Sequence, residues 1–276
     1  MSEIQGRPII GIDRGASFTD VCVVQSKQLV ETASIEKRDW DSIRILFDRL
    51  AATYKTDHAV FTGSAADMPD GLRKKIQVIA EIDAIGFGGS AVAHLNECIV
   101  VCMGTGTAIV HFKDKASRHV GGTGVGGGTI KGLASLLCGI DDPLEVESLA
   151  LKGKTSQTSL TISDLGYESV SFLGADMTAS NFAAVKSKKI EDLAAGILSL
   201  VAETVGIISS ICAREAGCPD KIVMVGKTAQ NQFIRNILNL VGKLYQTVFI
   251  FPDNPGVATV YGAALKYQYD HACVAQ

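Results

Sequence analysis

The chain has 276 residues, enough for one large domain or two lobes sharing a cleft. Hydrophobic residues at 47% and charged residues at 20% exclude a disordered or low-complexity protein. A net charge of −3 excludes the basic footprint of a nucleic-acid binder, so no nucleic-acid partner is expected.

Residues 8–12 form a short apolar run ended by Asp13, Arg14 and Gly15. Residues 20–25 and 28–35 are rich in β-branched side chains around the polar pair Ser26 and Lys27, which predicts three strands joined by turns. Asp41 is expected to cap a helix whose apolar face carries Ile43, Leu46, Phe47 and Leu50. Residues 59–62 read as a strand ending at Gly63, and Asp83 is expected to cap a helix running to Leu95. Residues 98–103 and 108–112 predict a strand pair around Gly104, Thr105 and Gly106.

Residues 129–137 read as a helix, and Pro143 suits the first turn of another after Asp141 and Asp142. Residues 153–182 have poor periodicity and predict loops with short helices, whereas 190–215 carry a long helical pattern free of proline. Residues 222–225 and 247–251 predict strands, and 233–241 and 257–267 predict helices. The order implies an α/β protein of two lobes, each a mixed sheet flanked by helices, with a nucleotide cleft between them. The lobes are expected at 1–115 and 116–276, and no repeat is visible in the sequence.

Residues 1–8 carry no apolar signal core, and no uninterrupted apolar segment reads as long enough to span a bilayer. The seven cysteines form no Cys-x-x-Cys and predict reduced thiols packed as small hydrophobes. A cytoplasmic protein with no membrane partner is expected.

Three glycine-containing bends carry the chemistry. They are Asp13-Arg14-Gly15-Ala16-Ser17, Met103-Gly104-Thr105-Gly106-Thr107, and the run from Arg118 to Gly132. Glycine lets main-chain amides turn toward a ligand, and such a run entering a helix N-terminus favours phosphate. The expectation is that all three converge on one triphosphate, with Asp13 reaching Mg²⁺ through water. Taken alone, Asp13 and Gly15 are equally compatible with a plain hairpin turn.

Glu81 is read as a carboxylate at a strand end, able to accept a proton from a substrate hydroxyl; helix capping by Glu81 and Asp83 is the competing reading. Arg118 or His119 offers a cation for the transferred phosphoryl group, or is a surface residue on a strand edge. Residues 222–227 form a strand and glycine turn suited to a nucleoside. Gly153-Lys154-Thr155 and Gly226-Lys227-Thr228 lack the first glycine of a P-loop, and Gly122-x-Gly124-x-x-Gly127 lacks the acidic strand end of a dinucleotide fold.

With these residues in place, the chain resembles the type II pantothenate kinases of the acetate kinase, sugar kinase, Hsp70 and actin superfamily. The likeness rests on residues 101–107, 120–132 and 174–182, with support from 81–84 and 222–235. It implies two ribonuclease-H-like lobes, ATP with Mg²⁺ between them, a homodimer, and phosphorylation of the primary hydroxyl of pantothenate to 4'-phosphopantothenate on the route to coenzyme A.

By position, the resemblance makes Glu81 the base and turns Asp13 and Thr105 toward the metal and phosphates. It lines the nucleotide with Gly126, Gly127, Gly128, Thr129 and Lys131, alongside Gly15, Ala16, Ser17 and Gly106, and sets Gly226 and Lys227 near the adenosine. The sequence departs from the family twice. Asp20 stands where the family carries a lysine, leaving Arg14 or Lys131 to substitute, and His119 stands where it carries an arginine. Alternation along a strand lets Arg118 substitute only if the strand frays or bulges.

The leading expectation is an ATP-dependent kinase of a small hydroxyl compound. A nucleotide-binding regulator or inactive kinase homologue, and a kinase of another acceptor, are the alternatives; a nicotinamide dehydrogenase comes last.

Overall fold

A computed structural model describes residues 6–36, 39–65, 67–74, 76–171 and 173–273; most of the N-terminal leader reading therefore lies outside the described residues. The chain opens with β1 (Ile9–Arg14), β2 (Thr19–Gln25) and β3 (Gln28–Ile35), then α1 (Trp40–Tyr54), β4 (Ala59–Gly63), α2 (Asp70–Arg73) and β5 (Gln77–Val78). Helix α3 (Glu81–Ala93) leads into β6 (Glu97–Met103), β7 (Thr107–Lys113) and β8 (Ala116–Thr123), followed by α4 (Gly127–Cys138) and α5 (Pro143–Ala150). Short strands follow: β9 (Leu160–Thr161), β10 (Ser169–Val170), β11 (Leu173–Gly174) and β12 (Thr178–Ser180). The chain closes through α6 (Ile190–Glu215), β13 (Ile222–Val225), α7 (Gln232–Tyr245), β14 (Phe249–Ile250) and α8 (Ala258–Cys273).

Hydrogen bonding sorts the long strands into two five-stranded sheets, ordered β3-β2-β1-β4-β5 and β14-β13-β6-β7-β8. Read from the opposite edge, the second order repeats the first. In each sheet three antiparallel strands are followed by two parallel ones. The sequence hides this duplication, since no repeated residues mark it.

The second sheet begins at β6, so the expected boundary at 115/116 falls inside it, at the turn between β7 and β8. Packing crosses the boundary as well. Helix α3 covers one face of the second sheet through Ile85 and Phe87, while α8 returns to the first sheet through Val260, Ala263, Ala264 and Tyr267. The two helices touch where Gly88 meets Gly262; a Cβ on Gly88 would lie 1.9 Å from the Ala258 carbonyl oxygen. The helix pair is thus the seam between the sheets.

Local signals account for most elements. Ile43, Phe47 and Leu50 are buried on one face of α1. The cap is Asp39, extended and accepting from the Ser42 amide, whereas Asp41 lies inside the helix. Pro143 takes the first position of α5 behind Asp142, which accepts from the Leu144 amide.

Helix α6, the 26-residue helix over 190–215, is long and apolar enough by length and composition to cross a membrane, which corrects the expectation that no segment is. Its buried residues Ala194, Ile197, Leu198, Val201, Ala202 and Val205 pack against Ile99, Val101 and Met224 of the second sheet. It is the central core helix of that half. Cys22, Cys98 and Cys218 are buried as small core residues, and burial pushes the thiols of Cys22, Cys98 and Cys102 up to about 12.

Candidate functional site

Strands β1, β4, β6, β8 and β13 bring their C-terminal ends to one cleft between the sheets. Directly opposed residues on neighbouring strands share a face. Asp13 lies opposite Asp20 on β2 and Thr62 on β4, so these three side chains project together. Arg14 projects the other way. It is buried, pairs with Asp67, donates to the Ser64 carbonyl at 3.1 Å and lies 4.6 Å from the Trp40 ring centre. Arg14 therefore does not replace the missing phosphate-site cation.

Asp13 is held well above the usual carboxylate range. Burial raises it first, and the charges of Glu81 and Asp20 raise it further, against an opposing pull from Lys227; the result is about 7. Glu81 is not at a strand end. It is the first residue of α3, behind Ala80, and Asp83 lies within the helix rather than capping it. The helix N-terminus gives the exposed Glu81 a favourable dipole, and its charge acts on Asp13.

The Thr62 Oγ1 atom is buried without a hydrogen-bond partner, and the buried Asp20 Oδ1 atom has the Lys227 ammonium against it. With Asp13 they form a set of hard oxygen donors around adjacent strand ends, a chemistry that fits Mg²⁺.

The two glycine turns of the second sheet pack directly on each other. The Gly127 amide donates to the Gly104 carbonyl and the Gly128 amide to the Thr105 carbonyl, each at 2.8 Å. The Gly126 amide donates to Thr129 Oγ1 at 3.2 Å, and Thr107 Oγ1 donates to the Val125 carbonyl at 2.8 Å. A Cβ on Gly126 would lie 2.8 Å from the Thr105 and Gly106 carbonyl oxygens. These amides are therefore committed within the protein, which corrects the expectation that they grip phosphate. The glycines serve close packing of turn on turn, and the turn at Thr105 becomes the surface presented to the cleft. Lys131 is exposed on α4.

The first bend closes through the Gly15 amide donating to the Phe18 carbonyl at 2.9 Å, with Ala16 and Ser17 exposed. Ser17 Oγ lies 3.3 Å from Thr105 Oγ1, so the first and second bends meet across the cleft. The third bend joins them through its packing on the second.

Gly226 ends β13 at φ 91, and a Cβ there would lie 2.5 Å from the Met103 carbonyl oxygen, so only glycine fits. Lys227 follows it but does not stay on its own sheet. Its Nζ lies 2.9 Å from Asp20 Oδ1, donates to Ser34 Oγ at 2.6 Å and sits 3.6 Å from the Phe18 ring centre. The Asp20 contact is an ion pair held by charge rather than by an aligned hydrogen bond. Sequence reasoning missed Phe18, Ser34 and Thr62. The antiparallel meander could have found only Asp20, because Thr62 lies on β4, whose parallel pairing with β1 is a long-range fact.

Strand β8 is bulged at Val120: Val110 faces His119, and Ile109 faces Gly121. The bulge follows both candidate cations and leaves their alternation intact. Arg118 opposes His111, whose Nε2 lies 3.9 Å from Cys218 Sγ on the α6 side. His119 opposes Val110 on the face covered by α3. Of the two, His119 shares the face from which α3 presents Glu81, and Arg118 does not.

The motif at residues 174–182 docks onto α6. Thr178 Oγ1, Asn181 Nδ2 and Ser199 Oγ all donate to the Glu203 carboxylate, at 3.0, 2.9 and 2.8 Å.

Comparison with known proteins agrees with this architecture. Residues 90–247, more than half of the chain, match the family model described as Fumble. A protein named type II pantothenate kinase from Bacillus thuringiensis subsp. konkukian is 29% identical over 271 residues, covering 93% of this chain and 96% of that one. Two solved structures share the fold. The activator of the 2-hydroxyisocaproyl-CoA dehydratase from Clostridium difficile, with bound ADPNP, has a TM-score of 0.65 at 18% identity, covering 98% of this chain and 97% of that one. A ROK family glucokinase from Streptomyces griseus, in complex with glucose and AMPPNP, has a TM-score of 0.60 at 13% identity, covering 95% and 99%.

Proposed function

This chain belongs to the Fumble family, and from that premise we propose that it is a pantothenate kinase, transferring the terminal phosphoryl group of ATP to the primary hydroxyl of pantothenate for coenzyme A biosynthesis. The observation that carries the reading is the meeting of Asp13, Glu81 and the Thr105 turn at the C-terminal ends of strands from two duplicated sheets. Open α/β sheets bind ligands at that edge.

Glu81 accepts the hydroxyl proton, or orients the hydroxyl for in-line attack on the γ-phosphate. Its place at the start of α3 holds the carboxylate at the cleft with no strand geometry required. Asp13, Asp20 and Thr62 are the residues that would hold Mg²⁺, directly or through water. The ion, when bound, neutralises charge on the phosphate oxygens. The Ser17 and Thr105 hydroxyls supply hydrogen bonds to phosphate, with Gly15, Ala16, Gly104 and Gly106 allowing close approach. His119, on the α3 face, is the residue assigned to the transferred group, a role for which Arg118 is turned away. Closure of the two sheets about the α3–α8 seam excludes water and limits ATP hydrolysis.

We also place the protein in the cytoplasm, where the free thiols of Cys22, Cys98, Cys102, Cys138, Cys212 and Cys218 would persist. A homodimer is supported by exposed leucines at 136, 137, 144 and 151 on and beside α4 and α5. No nucleic acid or membrane partner is assigned.

A coupled ADP-release assay over a panel of hydroxyl acceptors, with product masses measured, tests the function. Pantothenate-dependent ADP release and a phosphorylated product are expected. ATP binding without acceptor-dependent release would make the protein a nucleotide-binding regulator, and turnover only with another acceptor would move it to a different kinase.

A further inference from the structure

Lys227 joins two parts of the cleft. Its backbone belongs to the second sheet, where Gly226 presses on Met103 and the next residue, Thr228, closes on Gly127; a Cβ there would lie 2.7 Å from Thr228 Oγ1. Its ammonium belongs to the first sheet, on Asp20, Ser34 and Phe18. A side chain rooted beside both glycine turns and ending beside Asp13 spans the space in which a triphosphate between those groups has to lie. It is also the basic group that offsets the acidic cluster of Asp13, Glu81 and Asp20, while Arg14 is committed to Asp67 on the opposite face.

We propose that Lys227 is a positioning residue for the phosphate tail of ATP rather than an adenosine contact, and that Asp20 is its holding partner. The inference rests on the kinase reading above. A single carboxylate competes poorly for an ammonium against a tail bearing several negative charges, so bound ATP draws Lys227 off Asp20. The flexible four-carbon stem makes that exchange without backbone movement. In the exchange Asp20 is released toward the metal-binding oxygens of Asp13 and Thr62, so one event arms both the cation and the anion side of the site.

Calorimetric titration of adenosine and of ATP, with Mg²⁺ present, separates the roles. For Lys227→Met, ATP affinity is expected to fall roughly 10- to 100-fold, the worth of a hydrogen bond to a charged group, while adenosine affinity changes less than about twofold. Lys227→Arg should recover most of the ATP affinity. Equal losses for adenosine and ATP, or no loss for either, would overturn the inference. A thermal melt reports whether Lys227→Met is folded; if it is not, Asp20→Asn decides. Removing the competing carboxylate should strengthen ATP binding relative to adenosine, measured with Mg²⁺ omitted so that a metal role of Asp20 does not enter. An unchanged ratio would overturn the inference. Absence of any adenine binding by the unaltered protein is a different result, which defeats the kinase reading itself.

Discussion

The bends after β1 and β6 occupy equivalent places in two sheets of the same strand order, yet different forces build them. The bend after β6 is a backbone object. Its carbonyls at Gly104 and Thr105 accept from Gly127 and Gly128, and no side chain larger than hydrogen fits at Gly126. The bend after β1 is an electrostatic object, in which Asp13, Asp20 and Glu81 crowd together and Lys227 reaches across to offset them. Duplicated topology thus carries unlike chemistry: a rigid shelf on one side and a charged, ligand-responsive cluster on the other.

The sharpest separation of the two comes from Glu81. Glu81→Gln should cut turnover by roughly a hundredfold or more with nucleotide affinity nearly intact, measured by steady-state kinetics beside direct titration. Unchanged turnover would remove Glu81 from the chemistry.

The rigid shelf breaks by volume rather than by charge. Gly126→Ala forces a methyl against backbone oxygens that cannot rotate away, and should lower stability by about 1–3 kcal/mol in denaturant melts. Gly124→Ala, whose Cβ meets nothing within 4 Å, should match the unaltered protein. Equal stability for the two variants would mean that the turn-on-turn packing is not structural.

The charged cluster breaks by pH. Asp13 rises from 3.8 to about 7 in the fold, so the folded chain binds the extra proton and stability falls as pH rises from about 4 through 7. Asp13→Asn should therefore raise the melting temperature by about 5 °C at pH 8 and leave it unchanged at pH 4. The same titration makes Mg-ATP binding by the unaltered protein strengthen as pH passes 7. The smallest effect belongs to Arg118→Ala, which should change turnover by less than about twofold, because the side chain lies on the far face of β8. A large loss would place Arg118 in the cleft and His119 outside it.

What the sequence disclosed follows the range of the interactions. The β-branched runs at 20–25 and 28–35 and the proline-free run at 190–215 met their observed ends closely, because local periodicity decides them. The cap at Asp39 was misread as Asp41 since both carboxylates flank the same turn, and only backbone dihedrals separate them. The 115/116 boundary failed because strand pairing and the exchange of α3 and α8 between sheets are long-range facts.

At the site, the glycine bends were legible as turns, but residue spacing does not reveal whether an amide already has a partner, as those of Gly127 and Gly128 do. The missing lysine at Asp20 was legible too. Its companion Lys227, about two hundred positions away on another sheet, was not.

The central claim is that turns from both sheets hold one triphosphate. A crystal structure with Mg²⁺ and a non-hydrolysable ATP analogue tests it most directly. The phosphates are expected between Ser17 and Thr105, with the metal beside Asp13. Phosphates bound away from either sheet's turn, or an analogue that fails to bind at saturating concentration, would contradict the account.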